Sequence, residues 1–329
     1  MLEKKGSGKR FKIVARPGGF AASPEGFYQI RVQDMSFELT FECALDLRCA
    51  VAESPVYDER RNCLFFVDIG RGAVHRADLS GMGHIEWTFD HGACSIGLAR
   101  SGRLVLAQRD RVVLFNPDNG AITVEIATIE TERRDTRLND GKVGPDGAFW
   151  VGTMHDVTAD RRPVAALYRV SPTGEVERRI DDIICSNGLA WSGDGTLLFH
   201  SDSRGPWIDR WRFDPATGTL SERLRLAMLD EASGRPDGGA ADVEGNYWSA
   251  GVSAGILNRF SPEGRLIEAH PFPVPAPTMP CFAGSDLKTL VVTSLRPVGV
   301  GEESRSGGIF ATRSPVAGVA VHRFDDRGL

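Results

Sequence analysis

The chain is 329 residues long and carries a net charge of −5, with acidic and basic residues interspersed along it. That distribution lacks the basic stripe of a nucleic-acid binder or of a protein held on an anionic membrane. No run approaches the ~20 apolar residues of a membrane span and the N-terminus lacks the apolar core of a signal peptide, so the expected setting is the cytoplasm and the expected partner a small molecule.

Residues 1–34 read as a flexible leader: Lys4-Lys5-Gly6-Ser7-Gly8-Lys9-Arg10 is basic and Gly-containing, and Pro17-Gly18-Gly19 breaks any regular element. Residues 35–329 are expected to form one domain, because the repeats described next run on without a linker. The alternation of Phe37, Leu39 and Phe41 predicts a strand. Lending that strand to the last repeat would close a ring and remove its open edges.

A single layout recurs six times: a polar or thiol residue, a short apolar segment, a Gly-rich turn and an aromatic-rich run. Its openers are Glu53, Cys94, Asn139, Asn187, Asp237 and Met279, and eleven places later stand Leu64, Val105, Trp150, Leu198, Trp248 and Leu290. Each copy then shows a second strand leading to a turn, as in Leu114-Phe115-Asn116-Pro117-Asp118 and Trp211-Arg212-Phe213-Asp214-Pro215. Openers spaced roughly every 40 to 50 residues have the period of a propeller blade. The expected fold is all-β: a six-bladed β-propeller of four-stranded antiparallel blades around a central channel. Trp150, Trp248 and Phe149 read as packing between blades.

The six cysteines are scattered without a CxxC pair and read as small buried hydrophobes in a reducing compartment. In a propeller the residues leading into the innermost strands converge on the axis at one mouth. Three openers, Glu53, Asn187 and Asp237, are oxygen donors, and two carboxylates with one amide suit a hard divalent cation. Asn187-Gly188 and Asp237-Gly238 are also common turn dipeptides, but turn chemistry does not explain why all three donors fill the same slot of a repeat. Asp202 reads equally as a pocket residue following the innermost strand of its copy or as a turn cap, and His155 as a contact to ligand or solvent. His75 and His200 fit no ligand spacing.

Four ordered motifs together carry a resemblance. Glu53-Ser54-Pro55, Arg137-Leu138-Asn139-Asp140-Gly141-Lys142 with Gly152-Thr153-Met154, Ser186-Asn187-Gly188-Leu189, and Pro236-Asp237-Gly238 resemble the SMP-30/gluconolactonase/luciferin-regenerating family from about residue 42 to 318. Gly152-Thr153-Met154-His155-Asp156 and the run Pro280 to Leu290 resemble the bacterial sugar-acid lactonases more than the animal branch. The resemblance implies a six-bladed propeller with one divalent metal, Ca, Zn, Mg, Mn or Fe(II), on Glu53, Asn187 and Asp237. It implies a sugar lactone gripped by Arg137 and Asn139, and Asp237 placed to accept the proton of the attacking water. A carboxylate that contacts the sugar in some members falls on Val157 here, and the neighbouring Asp156 is the expected substitute. The function so implied is opening of an aldonolactone to the free sugar acid. A propeller esterase of paraoxonase-like type, acting on aromatic esters or phosphotriesters, would need a more apolar mouth than Arg137, Asn139 and Asp156 provide. A non-enzymatic binding platform would favour exposed aromatics on the loops.

Overall fold

The computed structural model describes residues 37–80, 82–157 and 159–329, so the expected leader lies outside the described residues. The described chain is a six-bladed β-propeller. Blade 1 comprises Ala52–Asp58, Cys63–Asp68, Ala73–Ala77 and Ile85–Thr88, each strand antiparallel to the next. Blades 2 to 5 begin at Ser95–Ala99, Thr136–Val143, Ser186–Trp191 and Pro236–Ala241 and repeat that order outward. Blade 6 takes Pro277–Ala283, Thr289–Ser294 and Ile309–Arg313 from the C-terminal part and its outer strand, Glu42–Leu45, from the N-terminal part.

The eleven-residue register has a simple physical basis. Every opener lies in or directly before an innermost strand, and each of the six hydrophobic residues that follow lies in the second strand of its blade and is fully buried. Trp150 and Trp248 pair with Lys142 and Ala240 across that ladder and fill the space between neighbouring blades. Trp150 meets Trp191 and Phe213 edge-on at centroid distances of 6.2 and 5.5 Å, a favoured aromatic geometry. Phe149 is likewise fully buried, and all six cysteines are free thiols.

Two boundaries differ from the sequence reading. The strand expected from Phe37 is extended chain without a ladder partner, and pairing begins at Glu42. Leu39 and Phe41 are buried there by packing on the blade 5–blade 6 core, so period-two burial arose without hydrogen bonding. The strand expected to end each copy is the third of its blade, and a further polar strand such as Thr219–Met228 lies outside it. One face of that strand is solvated, which removes the hydrophobic signal that marks the inner three.

Blade 2 has a fifth strand that the repeats did not announce. Arg323–Phe324 runs parallel to Ser95–Ala99 along the axial edge. The segment leading to it crosses the ends of the inner strands opposite the openers: Val319 N donates to Ala241 O at 2.9 Å, and Arg100 N donates to Phe324 O at 3.0 Å. Arg323 Nη2 donates to Asp58 Oδ1 at 2.9 Å. The tail therefore closes the channel at that end and leaves the opener end for ligands. Phe324 is fully buried among Ala99, Val105 and Phe149. Phe324→Ala should destabilise by about 3–5 kcal/mol, read by denaturant unfolding. A loss under about 1 kcal/mol would show that the tail is not part of the core.

Candidate metal centre and substrate pocket

The openers owe their placement to a recurring irregularity. In five blades the innermost strand slips register at the opener or within two residues of it: Glu53/Val56, Leu138/Gly141, Asn187/Ala190, Pro236/Gly239 and Pro277/Pro280. A bulge bends a strand and re-aims its side chains. Blade 2, whose opener is Cys94, keeps an unbroken register from Ser95 to Leu98. At Asn187-Gly188 the turn reading and the site reading are one fact. Gly188 has φ +69, and a Cβ there would collide with Tyr247 Oη and Ser201 Oγ. Only glycine allows the chain to turn there with Asn187 facing the axis.

Glu53, Asn187 and Asp237 line one cavity of about 170 Å³ together with Arg137, Asn139 and Asp140. Glu53, Asn139, Asp140 and Asn187 are buried. Asn187 Nδ2 donates to Ser203 Oγ at 2.7 Å, which leaves its carbonyl oxygen for the cavity. Asn139 Nδ2 donates to Ser186 O at 2.9 Å, and its Oδ1 accepts from Arg137 Nη1 at 3.0 Å. Arg137 is anchored further on Leu138 O at 2.9 Å. Asp156 does not line this cavity: it pairs with Arg109 at 3.2 Å and lies 3.5 Å from Arg137 Nε, so it acts on the pocket through Arg137.

Asp140 joins the site without having been singled out in the sequence. Its Oδ2 accepts from Leu189 N at 3.2 Å, while its buried Oδ1 has no hydrogen-bond partner. Burial and then the charges of Asp237 and Asp140 hold the Glu53 carboxyl well above its usual range. Burial and then Asp140 push Asp237 up to about 7, and burial raises Asp140. Lys142, whose Nζ donates to Gly239 O at 2.7 Å, offsets only part of this. Two buried carboxylates and the half-buried Asp237, all three resisting ionisation beside a free amide oxygen, form a donor set that would suit a hard dication. Burial pushes the Cys185 thiol up to about 12, so it stands as a neutral wall of the pocket.

Asp202 ends the second strand of its blade and caps backbone: its carboxylate accepts from Ile184 N, Cys185 N and Arg204 N at 2.8, 3.1 and 2.8 Å. His155 is buried and accepts from Arg162 N at 3.1 Å, contacting neither solvent nor the cavity. His75 does meet ligating groups: it faces Glu86 across the ladder, with His84 Nε2 at 3.0 Å from its Nδ1, on the outer part of blade 1.

Metal affinity should fall steeply as pH drops through about 7, because Asp237 must lose its proton to ligate. Calorimetry in buffers of different ionisation enthalpy should show proton release on metal addition near pH 6.5. Uptake with no proton release would contradict this electrostatic account.

The model of the SMP-30/Gluconolactonase/LRE-like region matches residues 51–296. Regucalcin from Bos taurus is 34% identical over 280 residues, covering 83% of this chain and 93% of that protein. A 6-deoxy-6-sulfogluconolactonase from Pseudomonas putida is 33% identical over 289 residues, covering 87% and 98%. A solved luciferin-regenerating enzyme superposes with a TM-score of 0.79 at 26% identity, covering 87% of this chain and 99% of that one. The animal and bacterial relatives match at the same level, so overall similarity does not favour the bacterial branch suggested by the local motifs.

Proposed function

Because the chain belongs to the SMP-30/gluconolactonase/LRE-like family, we propose that it is a divalent-metal-dependent hydrolase that opens the lactone ring of an aldonolactone to the free sugar acid. The observation that carries this reading is the convergence of Glu53, Asn187, Asp237 and Asp140 on one cavity with Arg137 and Asn139. The relatives named as sugar lactonase and regucalcin support it at 33–34% identity.

Glu53, Asn187 and Asp237 would hold the cation. A dication bound there supplies Lewis-acid polarisation of the lactone carbonyl. Arg137 presents a forked donor, and Asn139 both donates and accepts, which suits the ring and hydroxyl oxygens of a polyol. In the ligand-free arrangement the two bond each other, so substrate oxygens would exchange for the Arg137–Asn139 contact at little cost. Asp237 would accept the proton of water attacking the carbonyl; in the metal-free protein burial and then Asp140 raise its pKa to about 7, which offsets part of the lowering that a bound cation would impose. Three arginines and six polar or acidic side chains around the cavity, Glu53, Asn139, Asp140, Asn187, Ser203 and Asp237, favour a hydroxylated substrate over an aromatic ester.

A pH-drop assay tests the proposal, since ring opening releases acid. Metal-loaded protein should open at least one of glucono-, galactono-, arabino- and xylonolactone well above the buffer rate. Rates equal to buffer across that panel and across Ca, Mg, Mn, Zn and Fe(II) would refute it.

A further inference from the structure

Arg204 and Arg235 line the same cavity as Arg137, and none of the motifs assigns them a task. Arg204 is exposed at the end of the Asp202-capped turn, and among the described residues its guanidinium makes no hydrogen bond or ion pair. Arg235 precedes the innermost strand of blade 5, its backbone N donating to Ser253 Oγ at 2.9 Å. Its Nε lies 2.9 Å from Glu231 Oε1 but is not aligned for a hydrogen bond, and that carboxylate is 74% exposed. Partial desolvation first, then the like charges of Arg235 and Arg161, hold Arg204 below the usual arginine range.

Arg204 and Arg235, lining one cavity, repel each other unless an anion lies between them, and the carboxylates of the cavity do not serve as that anion. Asp237 feels both arginines, yet neither donates a hydrogen bond to it, and the cation proposed above would take its charge. Planar forked donors instead match the spaced oxygens of a sulfonate, phosphate or carboxylate. Resting on the aldonolactone reading, we propose that Arg204 and Arg235 form a subsite for an anionic group carried by the substrate outside its lactone ring. Arg137 and Asn139, on blade 3, then orient the ring, while the blade 4 and blade 5 arginines select a charged tail.

Two measurements test this. First, kcat/KM is compared for δ-gluconolactone and its analogues bearing sulfonate, phosphate or carboxylate at C6. The charged lactones should be favoured by about 10-fold or more at low salt, as for charge-assisted hydrogen bonds. Arg204→Gln and Arg235→Gln should each lower the charged-to-neutral ratio by about 10-fold. Which C6 group gives the largest ratio identifies the tail. Second, calorimetry compares binding of the ring-opened acids, gluconate against 6-sulfo- and 6-phosphogluconate, to wild-type and variant holoprotein. Tighter binding of the acids that carry the second anionic group, lost in the variants, supports the subsite even if no lactone is opened, in which case only the hydrolase reading fails. Equal binding of gluconate would show that the pair receives the carboxylate made by ring opening and would overturn the proposal. So would a charged-to-neutral ratio near one.

Discussion

Asp237→Asn is expected to reduce metal-dependent lactone opening by about 10³-fold while leaving the metal-free fold more stable than wild type at pH 8. The amide keeps the shape but cannot accept a proton and brings no charge to the cation. The stability effect follows from the raised Asp237 pKa, about 7. A carboxyl whose folded pKa lies above its unfolded value stabilises fully below the unfolded value, near 4, and loses that contribution as pH rises through the folded one. Wild-type metal-free protein should therefore lose stability between about pH 4 and pH 7, and the variant, free of that titration, should lose less. Glu53 and Asp140 are also relieved of a neighbouring negative charge. Rate assays on the loaded protein and thermal melts in chelator check the two halves. A variant that is inactive and also less stable in chelator would point to a purely structural Asp237.

Chelation of the loaded wild-type protein should abolish lactone opening and lower its Tm, with both restored by added dication. Binding to the folded state alone stabilises by RT ln(1 + [L]/Kd), about 4 kcal/mol at a thousand-fold excess over Kd. The gain should be largest above pH 7, where the three carboxylates would otherwise repel one another, and should fade as they protonate. Full activity in chelator would rule out the metal-dependent mechanism.

The ring could be read from the chain because its signal is strictly local. An inner strand, a tight turn and a second strand put a buried residue eleven places after each opener, from Leu64 to Leu290. The outer strands had no such mark, since one face of strands such as Thr219–Met228 meets water. The tail strand Arg323–Phe324 was hidden for a different reason. Two residues held by a parallel partner more than two hundred positions away have no period of their own.

The site divides along the same line. Glu53, Asn187 and Asp237 shared a slot in the repeat, and the bulge explains why that slot faces the axis. Asp140 stands one residue beyond its copy's opener and reaches the cavity because blade 3 slips register between Leu138 and Gly141, a backbone detail that residue spacing does not reveal. Arg204 follows the second strand of blade 4 and Arg235 precedes the innermost strand of blade 5, so only the assembled ring shows that they line one cavity. Asp156, chosen as a neighbour of Val157, is instead spent on Arg109 and Arg137.

The most direct test is anomalous diffraction from crystals grown with Mn²⁺. One strong peak within coordination distance of the Glu53, Asn187 and Asp237 oxygens is the predicted result. A cavity without a peak, with the ion instead at His75, His84 and Glu86 on the rim of blade 1, would contradict the account.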